Sequence, residues 1–190
     1  SFATGYDNQA SGIYSASSGY ANSANGNAST AMGNFTNASG YASTSMGEST
    51  AANAEGATSM GISTIANAQA STSMGYGTVA NSSSSLAIGT YNDATGANKL
   101  FEIGNGSADN ARSNVLTALT TGNVGIGNVN PAYKLDVSNR IRLRSGGSAA
   151  QSPGIWLNNI NNSATPAFMG MYSDNLVGLY GTTAGWGFTM

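Results

Sequence analysis

Two residue types are missing outright from this chain, and a third class is nearly so. There is no cysteine among the 190 residues, which removes disulfides, zinc–thiolate sites and thiol chemistry together. That absence does not decide the compartment, since extracellular proteins need not carry disulfides. Histidine is also absent, so every histidine-based triad and metal site is excluded. Charge is scarce: six basic and eight acidic residues, with no basic residue before Lys99. Phosphate backbones are held by clustered Lys and Arg, so this argues against nucleic acid as a partner. It also departs from the charged profile of a disordered chain. No run approaches the length of a membrane span.

What fills the chain instead is glycine (26 residues) and small polar residues, arranged with a strict period of fourteen. Glycine recurs at Gly5, Gly19, Gly33, Gly47, Gly61, Gly75 and Gly89, and alanine at Ala10, Ala24, Ala38, Ala52, Ala66, Ala80 and Ala94. No insertion breaks either column over residues 1–96, so the stretch reads as a stack of identical small units. The chain starts inside a repeat, which reads as part of something longer.

Fourteen residues suffice for two short strands and two turns, and are too few for a strand plus a three-turn helix. Ser43-Thr44-Ser45-Met46 alternates, putting Thr44 and Met46 on one face. Thr30 and Met32, Thr58 and Met60, Thr72 and Met74, and Leu86 and Ile88 are their equivalents. Leu86 and Ile88 mark that face as buried. The second strand centres on the alanine column, which forms the roll interior. The glycine column fits turns, where a Cβ clashes or φ is positive, and Asn25-Gly26 is a favoured tight turn. Coils stacked at about 4.8 Å make seven of them span ~34 Å.

Such a coil has little to bury. One methionine contributes about 1.5–3 kcal/mol, while ordering each residue costs roughly 1–2 kcal/mol. The Thr/Met ladder is therefore expected to lie against the same ladder of other copies around a shared axis, three in number.

Ser85-Leu86-Ala87-Ile88-Gly89 with Ala94-Thr95-Gly96 resembles the head repeat of trimeric autotransporter adhesins. The other coils depart from that pattern by carrying Thr and Met where aliphatics are usual. The resemblance implies a left-handed parallel β-roll, three chains side by side, binding host surfaces or matrix. Similar repeats occur in tail fibres of phages and related contractile particles. Leu100–Gly106, Ala111–Thr117, Gly122–Gly127 and Asn130–Val137 resemble segments of such fibres. The resemblance covers residues 1–140 well and the remainder loosely, and implies an extracellular, bacterial-surface or tail-fibre location.

The register breaks after Gly96, because Gly104 falls one residue late. Residues 97–144 read as a β-rich cap or neck: a strand at Leu100–Ile103, an apolar run through Val115, Leu116 and Leu119, and a turn at Thr121-Gly122-Asn123 before Val124–Ile126. A solenoid's last coil needs such a cover. Pro131 sets a turn, Leu135 and Val137 alternate, and Ile141 and Leu143 alternate with Arg140, Arg142 and Arg144. Those arginines are expected on one strand face, either solvated or paired between subunits, with an anion or glycan carboxylate as the alternative ligand. Residues 145–153 have linker composition. Residues 154–190 hold short aromatic-rich strands, read as a small antiparallel module too short for independent stability. Trp156, Tyr172, Tyr180 and Trp186 read first as that module's core and second as sugar-stacking contacts. Tyr6, Tyr20 and Tyr76 share a variable position and read as outward.

The whole is read as all-β: a fibrous homotrimer with one 14-residue coil per layer in a parallel β-roll (solenoid), followed by short β-hairpin and β-meander segments. No cofactor and no catalysis are expected. The acids are scattered, with Glu48 and Glu55 half a coil apart, and Gly104-Asn105-Gly106 and Gly125-Ile126-Gly127 lack the helix and lysine of a phosphate loop. The function expected is a structural and adhesive fibre segment whose partners are its own copies and a cell-surface glycan or protein receptor. An ice-binding solenoid, argued from the threonine ladder, and a polysaccharide-degrading tail spike are the alternatives.

Overall fold

The computed structural model describes residues 1–144, 153–157, 167–173, 176–181 and 185–189. It divides into two units, residues 1–139 and 140–190.

In the first unit each repeat supplies one five-residue and one two-residue strand. These are β1 (Phe2–Tyr6), β2 (Gln9–Ala10), β3 (Ala16–Tyr20), β4 (Ser23–Ala24), β5 (Thr30–Asn34), β6 (Asn37–Ala38), β7 (Thr44–Glu48) and β8 (Ala51–Ala52). They continue as β9 (Thr58–Ile62), β10 (Ile65–Ala66), β11 (Thr72–Tyr76), β12 (Val79–Ala80) and β13 (Leu86–Thr90). Long strands pair in parallel with long strands and short with short, each residue opposite its own copy fourteen positions on. Periodicity is the physical cause: a backbone group that finds a partner in one layer finds the same partner in every layer. The fold is thus a parallel β-solenoid with one coil per layer.

The interior holds only small side chains. Ala24, Ala38, Ala52, Ala66 and Ala80 are completely buried, while Ala10 and Ala94, at the two ends of the column, are half-buried. Facing them is a column of Ser17, Ala31, Ser45, Ser59, Ser73 and Ala87, also with no exposure. A third buried column runs Asn22, Thr36, Thr50, Thr64, Thr78, Asn92. The hydroxyls pair across the coil: Ser45 Oγ lies 2.7 Å from Thr50 Oγ1, and Ser59 and Ser73 meet Thr64 and Thr78 at 2.8 Å. Burying these groups is tolerable because they are bonded to each other.

Thr44, Met46 and their equivalents, expected as a buried face set against other copies, take no part in the coil's own interior. They lie on its outer face, half-buried to exposed, while the serine between them points in. A coil this thin has no room for methionine inside, so volume decides which side of the alternating strand faces in.

The recurring glycines also sit differently from the turns expected of them. Each is the fourth residue of a long strand, with φ between 96° and 130°. A Cβ on Gly47 would stand 2.0 Å from the Gly61 carbonyl oxygen, and the other repeats repeat this approach. The turns are made instead by two columns of left-handed residues, mostly without glycine. One includes Asp7, Ala21, Phe35, Ser49, Ser63, Gly77 and Tyr91; the other includes Tyr14, Ala28, Ala42, Gly56, Ala70 and Ser84. Beyond the first coil their N–H groups reach back fifteen residues, as Ser49 N donating to Asn34 O at 2.8 Å and Ala42 N to Asn27 O at 2.8 Å.

Beyond the repeats come β14 (Lys99–Asn105), β15 (Asn114–Leu119), β16 (Val124–Ile126) and β17 (Leu135–Val137). The late glycine does not end the stack. β14 joins β13 in parallel with Gly104 opposite Gly89, the extra residue being taken up in the intervening loop. β15 and β16 then pair antiparallel and β17 parallel, so one sheet of eleven strands runs from β1 to β17.

In the second unit, β18 (Gly154–Leu157), β19 (Ala167–Ser173), β20 (Leu176–Gly181) and β21 (Gly185–Thr189) form an antiparallel four-stranded meander. Residues 140–144 are exposed and form no strand, correcting the expectation of an arginine-bearing strand face. Alternation alone supplies no edge to pair with. Residues 145–152 of the expected linker lie outside the described residues.

Candidate interaction face and cap cluster

The Thr and Met positions become a continuous surface once the pairing is followed strand by strand. One row runs Thr30, Thr44, Thr58, Thr72, Leu86, Phe101, Ala118, Val124, Leu135. The second runs Met32, Met46, Met60, Met74, Ile88, Ile103, Leu116, Ile126, Val137. Nine strands at about 4.8 Å make this an apolar stripe ~40 Å long. Met32, Met74, Ile126 and Leu135 are 42, 38, 40 and 61% exposed. The stripe crosses the junction from repeat to cap unbroken, even though parallel pairing gives way to antiparallel there. The spacing within the repeat marked its first five positions. Phe101, Leu116 and Val124 were legible as apolar, but not as members of the same rows.

Behind the stripe the cap is polar. Lys99, Glu102, Asn114 and Thr117 are 2, 5, 5 and 0% exposed. The Lys99 amine contacts an Asp93 carboxylate oxygen and also donates to the Asp93 carbonyl at 3.0 Å. Glu102 Oε1 lies 3.6 Å from the same amine. Asn92 and Asn114 each donate a side-chain N–H to Glu102 at 2.9 Å. Burial drives the Glu102 carboxyl above its ordinary range, opposed by Asn114, the Lys99 charge and Asn92. Burial acts on Asp93 in the same sense, but hydrogen bonds from Lys99 and Thr95 outweigh it and hold that carboxyl below its ordinary range. Sequence reasoning missed this cluster. The column that ends in Asn92 was its one periodic signal.

Aromatic side chains mark an edge of the solenoid. Tyr6 and Tyr20 stack at 5.2 Å with Phe35 edge-on to Tyr20 at 5.4 Å, and Tyr76 meets Tyr91 at 5.1 Å. Tyr6, Tyr20 and Tyr76 are exposed, as the variability of their position implied. Arg112 closes that edge near the cap, donating to the Gly77 and Asn92 carbonyls and lying 5.6 Å over the Tyr91 ring.

Arg140, Arg142 and Arg144 are all exposed and share no strand. Trp156 is 58% exposed and tilted against Phe168, with ring centroids 4.9 Å apart. The side chains of Tyr172, Tyr180 and Trp186 lie outside the described residues. Among the described residues no three His, Cys, Asp or Glu side chains gather as a metal site, and no helix is long and apolar enough to cross a membrane. No protein-family model matches the chain, and no curated protein matches it.

Proposed function

We propose that this chain is a structural and adhesive segment of a trimeric extracellular or tail fibre, a rigid spacer whose assembly runs along the Thr/Met stripe. The observation that carries this is the inversion of polarity. The coil interior is serine, threonine, alanine and asparagine, and the apolar rows lie outside. Contiguous apolar surface of several hundred Å² on a soluble protein marks an interaction site. The stripe follows the stacking direction, so an identical stripe on a second and third copy matches it residue by residue. Closed symmetry around one axis then leaves none of it in water.

The rod itself suits a spacer. Its layers repeat without insertion and its backbone is paired in two sheets, so length is set by repeat number. Adhesion to a surface glycan or protein is part of the proposal, with the exposed aromatic edge as the surface offered. Sedimentation equilibrium of the intact chain is expected to give three copies, and the double variant Met46→Asp/Met60→Asp to give a monomer with unchanged β-sheet circular dichroism. A stable, folded wild-type monomer would overturn the reading.

The outward threonine ladder also fits a flat ice-binding face, and this second reading needs the stripe to be free in water. Thermal hysteresis in a solution of monomers would put it first.

A further inference from the structure

The cap cluster places a primary amine against a carboxyl group in a site closed to solvent, and neither has a part in the stripe or in the fibre reading. We infer that Lys99 and Asp93 join in an intramolecular isopeptide bond, with Glu102 as the proton carrier. The side chains of Lys99, Asp93 and Glu102 are 3, 12 and 6% exposed. The amine touches Asp93 Oδ2, and Asp93 Oδ1 accepts the Thr95 backbone N–H at 3.2 Å. Thr95 Oγ1 donates to Oδ2 at 2.9 Å. One oxygen is thus placed to remain as the amide carbonyl with a backbone donor on it, and the other to depart with a hydroxyl beside it.

The step balances without any added reagent. Lys99 Nζ, once it has given up its extra proton, attacks Asp93 Cγ. The C–N bond forms, the Cγ–Oδ2 bond breaks, and Oδ2 leaves as water carrying two of the three ammonium protons. The ammonium and carboxylate charges vanish together, leaving a neutral amide. Glu102, 3.6 Å from the amine, takes one proton from it before the attack and a second from the nitrogen of the tetrahedral adduct, passes each in turn to the departing oxygen, and ends as it began. Its two asparagine partners hold it in place, and burial, which favours its protonated form, suits that exchange.

Two physical terms favour condensation here over the same groups free in water. Positioning a nucleophile against its target replaces an encounter by an effective molarity of roughly 10⁵–10⁸ M. Two buried ions also carry a desolvation penalty, and a neutral amide removes both. The link closes the loop between the last repeat and β14, where the stack passes into the cap.

The test is the intact mass of the purified full chain under denaturing conditions. The expected mass is one water below that of the sequence, with peptide mapping joining residues 93 and 99 and trypsin failing to cut after Lys99. The unreduced mass, with Lys99 cut by trypsin and open to amine-specific labelling, overturns the proposal and leaves a buried ion pair. Glu102→Gln, folded by circular dichroism, is expected to keep the full mass. A one-water loss in that variant overturns the role given to Glu102. The wild-type measurement stands on its own if the variant does not fold.

Discussion

Gly47→Ala is the sharpest single test of the close stacking. Gly47 lies within β7 at φ +121°, and an added Cβ would sit 2.0 Å from the Gly61 carbonyl oxygen and 2.9 and 3.0 Å from the carbon and nitrogen of the same residue. Contact at that oxygen is well over an ångström too short, and the obstacle is backbone, which cannot rotate away. The dihedral alone costs an L-residue about 1–3 kcal/mol, and forcing the layers apart adds roughly 1–3 kcal/mol. A central value of ~4 kcal/mol is a large part of the 5–15 kcal/mol that domains have in hand. For a chain of this size it lowers the melting temperature by about 8–16 °C. Gly56→Ala is the matched control. Gly56 has φ +63° and its Cβ would meet nothing nearer than Ala70 Cα at 3.8 Å, while Ala28, Ala42 and Ala70 already occupy equivalent positions. Its cost is limited to about 1 kcal/mol. Thermal unfolding followed by circular dichroism compares the two. Equal shifts for both variants would refute the claim that interlayer contact, and not positive φ alone, demands the glycine column.

Ala42→Gly relieves a left-handed alanine (φ 52°), so it should raise stability by roughly 0.5–1 kcal/mol in denaturant titration, the backbone relief exceeding the entropy glycine brings. Ser45→Ala strips the buried Thr50 hydroxyl of the partner 2.7 Å away and should cost about 1–3 kcal/mol, most of it recovered in Ser45→Ala/Thr50→Val, because an apolar pair leaves no polar atom unpaired. Glu102, facing Lys99 and Asp93, binds its proton more tightly folded than unfolded. Its contribution should therefore decline as pH rises from its ordinary value of 4.5 toward the elevated folded value. Glu102→Gln should flatten that slope in pH-dependent unfolding, and an unchanged slope would remove Glu102 as its source. An isopeptide link leaves the direction intact: burial, the main cause, stays, and the link takes away both the Lys99 ammonium that opposes the rise and the lesser contribution of the Asp93 carboxylate to it.

The repeat by itself determined the coil length, the two strands per coil and the parallel in-register stack. Identity at fourteen residues means that whatever hydrogen-bond partner one layer offers, every layer offers. It also placed Ala24, Ala38, Ala52 and Ala66 inside, and marked Thr44 and Met46 as sharing a face. Which face turned inward was decided only in three dimensions. Alternation along β7 separates Thr44 and Met46 from Ser45 but is symmetric between inside and outside, and the narrow bore of the coil, where only small side chains fit, breaks the symmetry in favour of serine. The left-handed columns were hidden for a related reason: Ala21, Phe35 and Ala42 carry no glycine signal, and their conformation is imposed by hydrogen bonds to a residue fifteen positions earlier. Lys99, Asp93 and Glu102 are ordinary polar residues in sequence. They became a buried reactive cluster because the parallel pairing of β14 with β13 sets Glu102 opposite the buried Ala87, on the inward side of the sheet, and closes the coil's end over them.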